Sequence, residues 1–251
     1  MDSSARFDLG NPAPATNAGL ESSLSGHPPE DHLEYRPDID GLRAVAVMAV
    51  VAFHAFPQSL PGGFVGVDIF FVISGYLISG IILRALKQNR FSLLGFYARR
   101  VRRIFPALLA MLALVLVLGR LMMLADEFPQ LGKHVLSGSG FAMNLILYAD
   151  TQPYFGSINS PLIHLWSLGV EEQFYLIWPL FLMAIWRLPR WRGWLIAIVA
   201  VISFAMNLNS VAATPLTAFY LPTNRLWELA MGGLLAYIST IATSPSIPAI
   251  H

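Results

Sequence analysis

Apolar residues run along this chain in long stretches, separated by short polar and basic segments. A helix needs about 20 apolar residues to cross a bilayer, with a range of about 17–25. Five stretches qualify, roughly 41–57, 64–86, 104–124, 161–186 and 217–239. A shorter one, 194–210, opens on tryptophan and is flanked by arginines, making a sixth. Residues 135–149 form a run of about 15 that contains Ser137, Gly138, Ser139, Gly140 and Asn144. The pattern predicts an all-α, polytopic transmembrane helix bundle of about six spans plus one re-entrant or short helical segment. Ahead of it, residues 1–34 show no apolar period and are rich in Pro, Gly, Ser, Asn and Ala, which predicts a disordered leader. No basic stretch precedes a short apolar run, so the first span is expected to act as an uncleaved anchor rather than a signal peptide.

Composition narrows the class further. Hydrophobic residues make up 55% of the 251 positions and charged residues 12%, half the share usual for soluble domains. That surface is too poor in charge for nucleic-acid binding. The formal net charge of +1 hides an asymmetry: six acids and one base precede Tyr35, and fifteen bases against nine acids follow it. The absence of cysteine excludes disulfides and thiolate chemistry.

The basic residues orient the spans. Arg84, Lys87, Arg90, Arg99, Arg100, Arg102 and Arg103 lie between the second and third, and Arg187, Arg190 and Arg192 follow the fourth. Both loops are expected in the cytoplasm, the uncharged loop Pro57–Gly63 outside, and the N-terminus in the cytoplasm. Residues 125–160 must then begin and end outside, so 135–149 does not cross once. If it did cross, the second arginine loop would face outward, against the rule.

Ionisable residues inside spans are costly and mark functional candidates. Arg43 and His54 are eleven residues apart in the first span, three turns plus about 20°, and so share one face about 16 Å apart. This spacing places Arg43 near the cytoplasmic entrance and His54 about half-way across. In the fourth span, the segment HLWSLGVEEQFYLIWP holds Glu171 and Glu172. Adjacent side chains diverge by about 100°, so one is expected to face a cavity and the other a neighbouring helix or an arginine. Glu171 falls at a depth close to that of His54, where the two could share a proton as general acid and base. Equally, a buried ion pair could merely fix helix packing. The run Arg99, Arg100, Arg102 and Arg103 can signal topology, bind anionic lipid or clamp phosphates. Asp68, near the outer end of the second span, can pair with Arg225. Arg225 and Glu228 are i,i+3 neighbours suited to a local ion pair. Phosphate loops, paired metal-binding histidines and serine elbows are missing from the sequence, and no metal site is expected.

Five blocks together resemble the acyltransferase-3 family of bacterial integral-membrane O-acyltransferases, which decorate O-antigen, peptidoglycan and other surface glycans. They are YRPDIDGLRAVAVMAVVAFHAF, PGGFVGVDIFFVISGYLI, FYARRVRRIFPAL, SPLIHLWSLGVEEQFYLIWPL and FYLPTNRLWELAMGGLLA, in family order from Tyr35 to about Ile238. The resemblance implies catalytic roles for His54, Glu171 and Arg43, and contact with acyl-CoA for Arg99, Arg100, Arg102 and Arg103. Asp68, Glu172, Arg225 and Glu228 match further polar positions of the family. It also implies an inner-membrane enzyme with no tightly bound cofactor. Such an enzyme would move an acyl group, usually acetyl, from cytoplasmic acyl-CoA to a hydroxyl of a surface or lipid-linked glycan, including lipopolysaccharide O-antigen. Residues 35–240 form the expected transmembrane domain and 241–251 a frayed tail. The family's usual count of about ten spans makes the domain look incomplete at its C-terminal end. A transporter or exporter subunit and an inactive fragment of the acyltransferase are the competing readings.

Overall fold

The computed structural model describes residues 36–151 and 161–242. The expected leader and nearly all of the expected tail lie outside these residues. Within them the chain is an all-α bundle with no strand. Its helices are α1 (Pro37–Ala55), α2 (Gly66–Lys87), α3 (Leu93–Met122), α4 (Phe128–Ser139), α5 (Met143–Ala149), α6 (Leu165–Ile185), α7 (Arg192–Ala213), α8 (Pro215–Tyr220) and α9 (Pro222–Ala242), with a 3-10 turn at Gly63–Val65. Five of the six expected spans correspond to one long helix each, and the sixth, 217–239, is divided at the extended Leu221 into the short α8 and the long α9. Four stretches are long and apolar enough to cross a membrane: Gly63–Lys87, Leu93–Met122, Leu165–Ile185 and Arg192–Ala213. The remaining two, α1 and α9, carry the charged residues Asp38, Asp40 and Arg43, and Arg225 and Glu228 respectively.

Burial separates the centre of the bundle from its rim. Half of the apolar stretch of α2 and 44% of that of α6 is buried, against 17% for α3 and for α7. Leu109, Leu114, Val117 and Leu121 on α3, and Ile198, Val201, Ile202 and Leu208 on α7, are exposed. Apolar surface on this scale is what a helix presents to lipid rather than to water.

The seam between α2 and α9 is built on glycine. A methyl group placed on Gly75 would lie 2.7 Å from the Leu229 carbonyl carbon. One on Gly232 would lie 2.6 Å from the Tyr76 nitrogen. Only residues without a side chain let the two backbones approach this closely. On the same side of α9, Gly233 faces the Trp178 ring of α6, whose indole N–H donates to Ser79 Oγ at 2.7 Å. Likewise Gly66 meets the Ala46 carbonyl and Val50 side chain, seating α1 against the start of α2.

Three boundaries differ from expectation. Helix α1 begins at Pro37 rather than at 41, because proline suits a first helical position and Asp38 and Asp40 suit the positive end of the helix dipole. It stops before Pro57. Helix α3 begins eleven residues before 104, capped by Ser92 Oγ, which accepts from Gly95 N–H at 3.2 Å. Arginine is a good helix former, so the helix runs through the basic cluster. Its 30 residues span about 45 Å, more than the ~30 Å hydrocarbon core. The run 135–149 is two helices, α4 and α5, broken where Phe141 takes the left-handed conformation with φ 55°. The Phe141 and Ala142 amides close the end of α4 by donating to the Gly138 and Ser137 carbonyls.

Candidate active site

Helix α6 carries Glu171 and Glu172 to different neighbours. Glu171 is buried and its Oε1 accepts from the Tyr175 hydroxyl one turn along the same helix. Glu172 turns to α3, where Arg100 Nη2 donates to Oε1 at 2.6 Å. The Arg100 guanidinium also lies over the Tyr175 ring, 3.8 Å from its centroid, an electrostatically favourable placement for a cation. The two carboxylates therefore sit on one connected cluster, Arg100 linking Glu172 to the phenol that holds Glu171. Next to it opens a cleft of about 270 Å³ lined by Tyr97, Ile104, Phe141, Gln173 and Leu176. Its walls are tied together: Tyr97 donates to the Leu176 carbonyl at 2.7 Å, and Gln173 donates to the Phe141 carbonyl at 2.7 Å. Gln173 and the buried Asn144 also exchange amide hydrogen bonds, of 3.0 and 3.3 Å. This reciprocal pair satisfies polar groups that the break between α4 and α5 brings into the bundle.

The basic cluster divides in consequence. Arg100 is drawn inward to a residue about a third of the way along α6, not held at a mouth. Arg99, Arg102 and Arg103 point outward from α3 and are exposed.

His54 is the last residue but one of α1, so it stands at the end of that helix. The stop before Pro57 accounts for this position. Its Nδ1 is 2.8 Å from the Val50 carbonyl. A carbonyl can only accept, so Nδ1 carries the hydrogen and, in the neutral ring, the lone pair is on Nε2. Arg43 lies three turns back, near Asp40 at 3.5 Å and over the Phe70 ring of α2 at 5.4 Å. No hydrogen bond or ion pair joins His54 to Glu171, whose carboxylate is taken by Tyr175.

The neighbour of His54 on α6 is a different residue, His164, which precedes the first turn of that helix. Its ring keeps a solvent-accessible edge, yet the surrounding protein holds its imidazole below the ordinary histidine value. The Pro161 carbonyl opposes this, and the charge of His54 adds to it. His164 and Tyr175 were not singled out from the sequence. Both stand in the segment that carries the glutamates, seven residues before and four after Glu171, which are spacings of near-whole helical turns.

The third polar group joins α2 to α9. Arg225 Nη1 donates to Asp68 Oδ1 at 2.9 Å and to Glu228 Oε1 at 2.6 Å, while its Nε donates to the Phe219 carbonyl at 3.3 Å. Both pairings expected from the sequence thus form, on one guanidinium. Trp166 and Phe219 flank it, with ring centroids 5.6 and 5.3 Å from Arg225 Cζ.

A model of the acyltransferase-domain family matches residues 36–247. A peptidoglycan O-acetyltransferase, OatA, of Listeria monocytogenes is 34% identical over 230 residues, covering 86% of this chain and 36% of its own length. The O-acetyltransferase OatA of Staphylococcus aureus is 35% identical over 211 residues, covering 81% and 35%. A putative O-acetyltransferase of another S. aureus strain is 33% identical over 213 residues, covering 82% and 35%. The chain spans about a third of the length of these curated relatives. No solved structure matches it.

Proposed function

Because the chain belongs to the acyltransferase-domain family, we propose that it is a membrane O-acetyltransferase module using cytoplasmic acetyl-CoA to acetylate a hydroxyl of a surface glycan. The relatives' names favour acetyl as the group, and the Listeria protein's name favours peptidoglycan over lipopolysaccharide as the acceptor class. The module resides in the plasma membrane with its N-terminus in the cytoplasm.

The observation that carries this reading is the 2.8 Å approach of His54 Nδ1 to the Val50 carbonyl. An accessible imidazole with its Nδ1 hydrogen held by a carbonyl presents a basic Nε2. In the reaction, Nε2 removes the proton of the glycan hydroxyl as its oxygen attacks the thioester carbonyl carbon. The C–S bond then breaks, and the departing thiolate takes up the proton to leave as a thiol. Positioned proton transfer of this kind is worth about 10²–10⁴-fold. His164, held toward its neutral form, avoids a second positive charge beside the imidazolium that forms on His54. Arg99, Arg102 and Arg103 remain for the phosphates of the acyl donor, and the Arg100–Glu172–Tyr175–Glu171 cluster keeps α3 and α6 in register beside them. Arg43 holds the catalytic helix α1 to α2.

The test uses membranes containing the chain, radiolabelled acetyl-CoA and peptidoglycan precursors. Transfer of label is expected, with at least a 100-fold loss in His54→Ala, the lower end of the general-base range. Equal transfer by the two proteins would refute the role of His54. Export of glycan without acetyl-CoA dependence would instead favour a transporter.

A further inference from the structure

The group on α2 and α9 has more carboxylates than cations. Asp68 and Glu228 share one guanidinium, and both bonds come from the same nitrogen, Nη1. Its two hydrogens therefore go to two different acids, and neither acid receives the forked, two-bond pairing that arginine makes with a single carboxylate. The Nε hydrogen is spent on the Phe219 carbonyl. Glu228 is completely buried, and its second oxygen, Oε2, has no hydrogen-bond partner.

Among the described residues, the surroundings supply no further positive charge. The charged groups acting on Glu228 are Arg225 on its own helix and Asp68 on α2. Helix α6 brings Trp166 to Arg225. From α8 come the Phe219 carbonyl and the buried phenol Tyr220. Along α7, Ser203 accepts from the Trp227 amide and Asn207 donates to the Ala218 carbonyl, neither of them charged. An anionic carboxylate oxygen sealed from water with no donor is among the least favourable arrangements in a protein interior. Asp68 differs: 29% of its side chain is exposed and can be hydrated.

We infer that the Asp68–Arg225–Glu228 group is a proton-binding site, with the proton on Oε2 of Glu228 and Asp68 as the anionic partner of Arg225. The proton is the one ligand that neutralises the excess charge without needing space in a closed position. Protonated Glu228 still accepts from Arg225 through Oε1, so the observed bond is kept. The inference makes the two acids unequal: neutral glutamine can replace Glu228, whereas asparagine cannot replace Asp68.

The experiment compares infrared spectra of the full chain in vesicles, in H2O and D2O, for wild type, Glu228→Gln and Asp68→Asn. Wild type at neutral pH is expected to show a carbonyl stretch of a protonated carboxylic acid that shifts in D2O. Glu228→Gln should lose one component of that band and unfold thermally within a few degrees of wild type, while Asp68→Asn, which removes the excess negative charge, should weaken the component as Glu228 becomes the anionic partner of Arg225, and unfold earlier because that anion is sealed from water. A spectrum with no carboxylic-acid band, or with a band untouched by Glu228→Gln, would overturn the inference; an anion bridged by water gives that result. Isotope labelling with ¹³C-glutamate provides a second reading on unmutated protein. The band must move with this label and not with ¹³C-aspartate; movement with aspartate alone also overturns it.

Discussion

Replacing Gly75 by alanine tests the α2–α9 seam on which the interior arrangement rests. The new methyl would stand 2.7 Å from the Leu229 carbonyl carbon and 2.8 Å from its Cα, where relaxed carbon contacts are about 3.5–4.0 Å. The obstruction is helix backbone, which cannot rotate aside as a side chain can, so α2 and α9 must part by ~1 Å. Separation on that scale stretches the 2.9 Å bond between Arg225 and Asp68 past its favourable range. Overpacking of this kind costs about 1–3 kcal/mol. Alanine in place of glycine within a helix gives back ~0.8–1.0 kcal/mol, leaving a net loss of up to ~2 kcal/mol. Gly132→Ala is the matched control: it lies within α4, a methyl there meets nothing within 4 Å, and the propensity gain should appear alone. Gly232→Ala should behave like Gly75→Ala. The double substitution should cost less than the sum of the two, since a single separation relieves both contacts. The assay is the midpoint of reversible unfolding in bicelles with increasing SDS. If Gly75→Ala were as stable as wild type while Gly132→Ala gained stability, the seam would not be as tight as described.

Two further outcomes are expected. Arg100→Leu strands Glu172 in a site where its side chain is 12% exposed, at a cost discounted for that exposure to ~1–3 kcal/mol. Adding Glu172→Leu should recover most of it, and a double variant no more stable than the single would argue against an ion pair there. On α4, burial holds the His134 imidazole below its ordinary value of 6.5, with the Asp150 charge opposing and the Lys133 charge assisting. The unfolded chain then binds a proton that the folded one resists, so the contribution is complete above pH 6.5 and is lost as pH falls below it. Asp150, held low by its hydrogen bond from Lys133, stays ionised through that window. Between pH 7.5 and 5.5 the unfolding midpoint of wild type should fall relative to that of His134→Gln, a comparison in which the other titrating groups cancel; a difference between the two that does not change with pH would remove His134 as the cause.

Much of the bundle was legible because one solvent imposes one pattern. A helix in lipid needs a long apolar run, so six long helices could be located by length; the pair Arg225–Glu228 was legible from its i,i+3 spacing, and Asp68 as a further acid that could pair with Arg225. What escaped depends on contacts between distant segments. Nothing around Tyr175 marks it as the partner of Glu171, since aromatic residues crowd that stretch. The Asn144–Gln173 exchange spans 29 residues and rests on the break at Phe141, which the small and polar run Ser137–Gly140 hinted at without fixing its place. That His54 falls at the very end of its helix escaped because the sequence shows where apolar residues start but not that Pro37, Asp38 and Asp40 already belong to the helix. The register of His54 against Glu171 failed with it.

The bond between Asp68 and Arg225 joins residues 157 apart, and this sets an order of assembly during synthesis. At about 5–20 residues per second, roughly 10–30 s pass between the appearance of the two. Throughout that interval α2 is already made, with an acid near one end and a glycine-lined face that has no mate. Neither the acid nor the face can be satisfied by any earlier helix, because the complementary arginine and glycines all belong to α9. The seam on α2 is therefore closed only after α3, α6 and α7 have been made, and until then its acid and its glycine-lined face wait without their partners. A nascent chain arrested before residue 222 would hold His54 on α1 and Asp68 on α2, but neither the arginine nor the glycines of α9 that complete the seam.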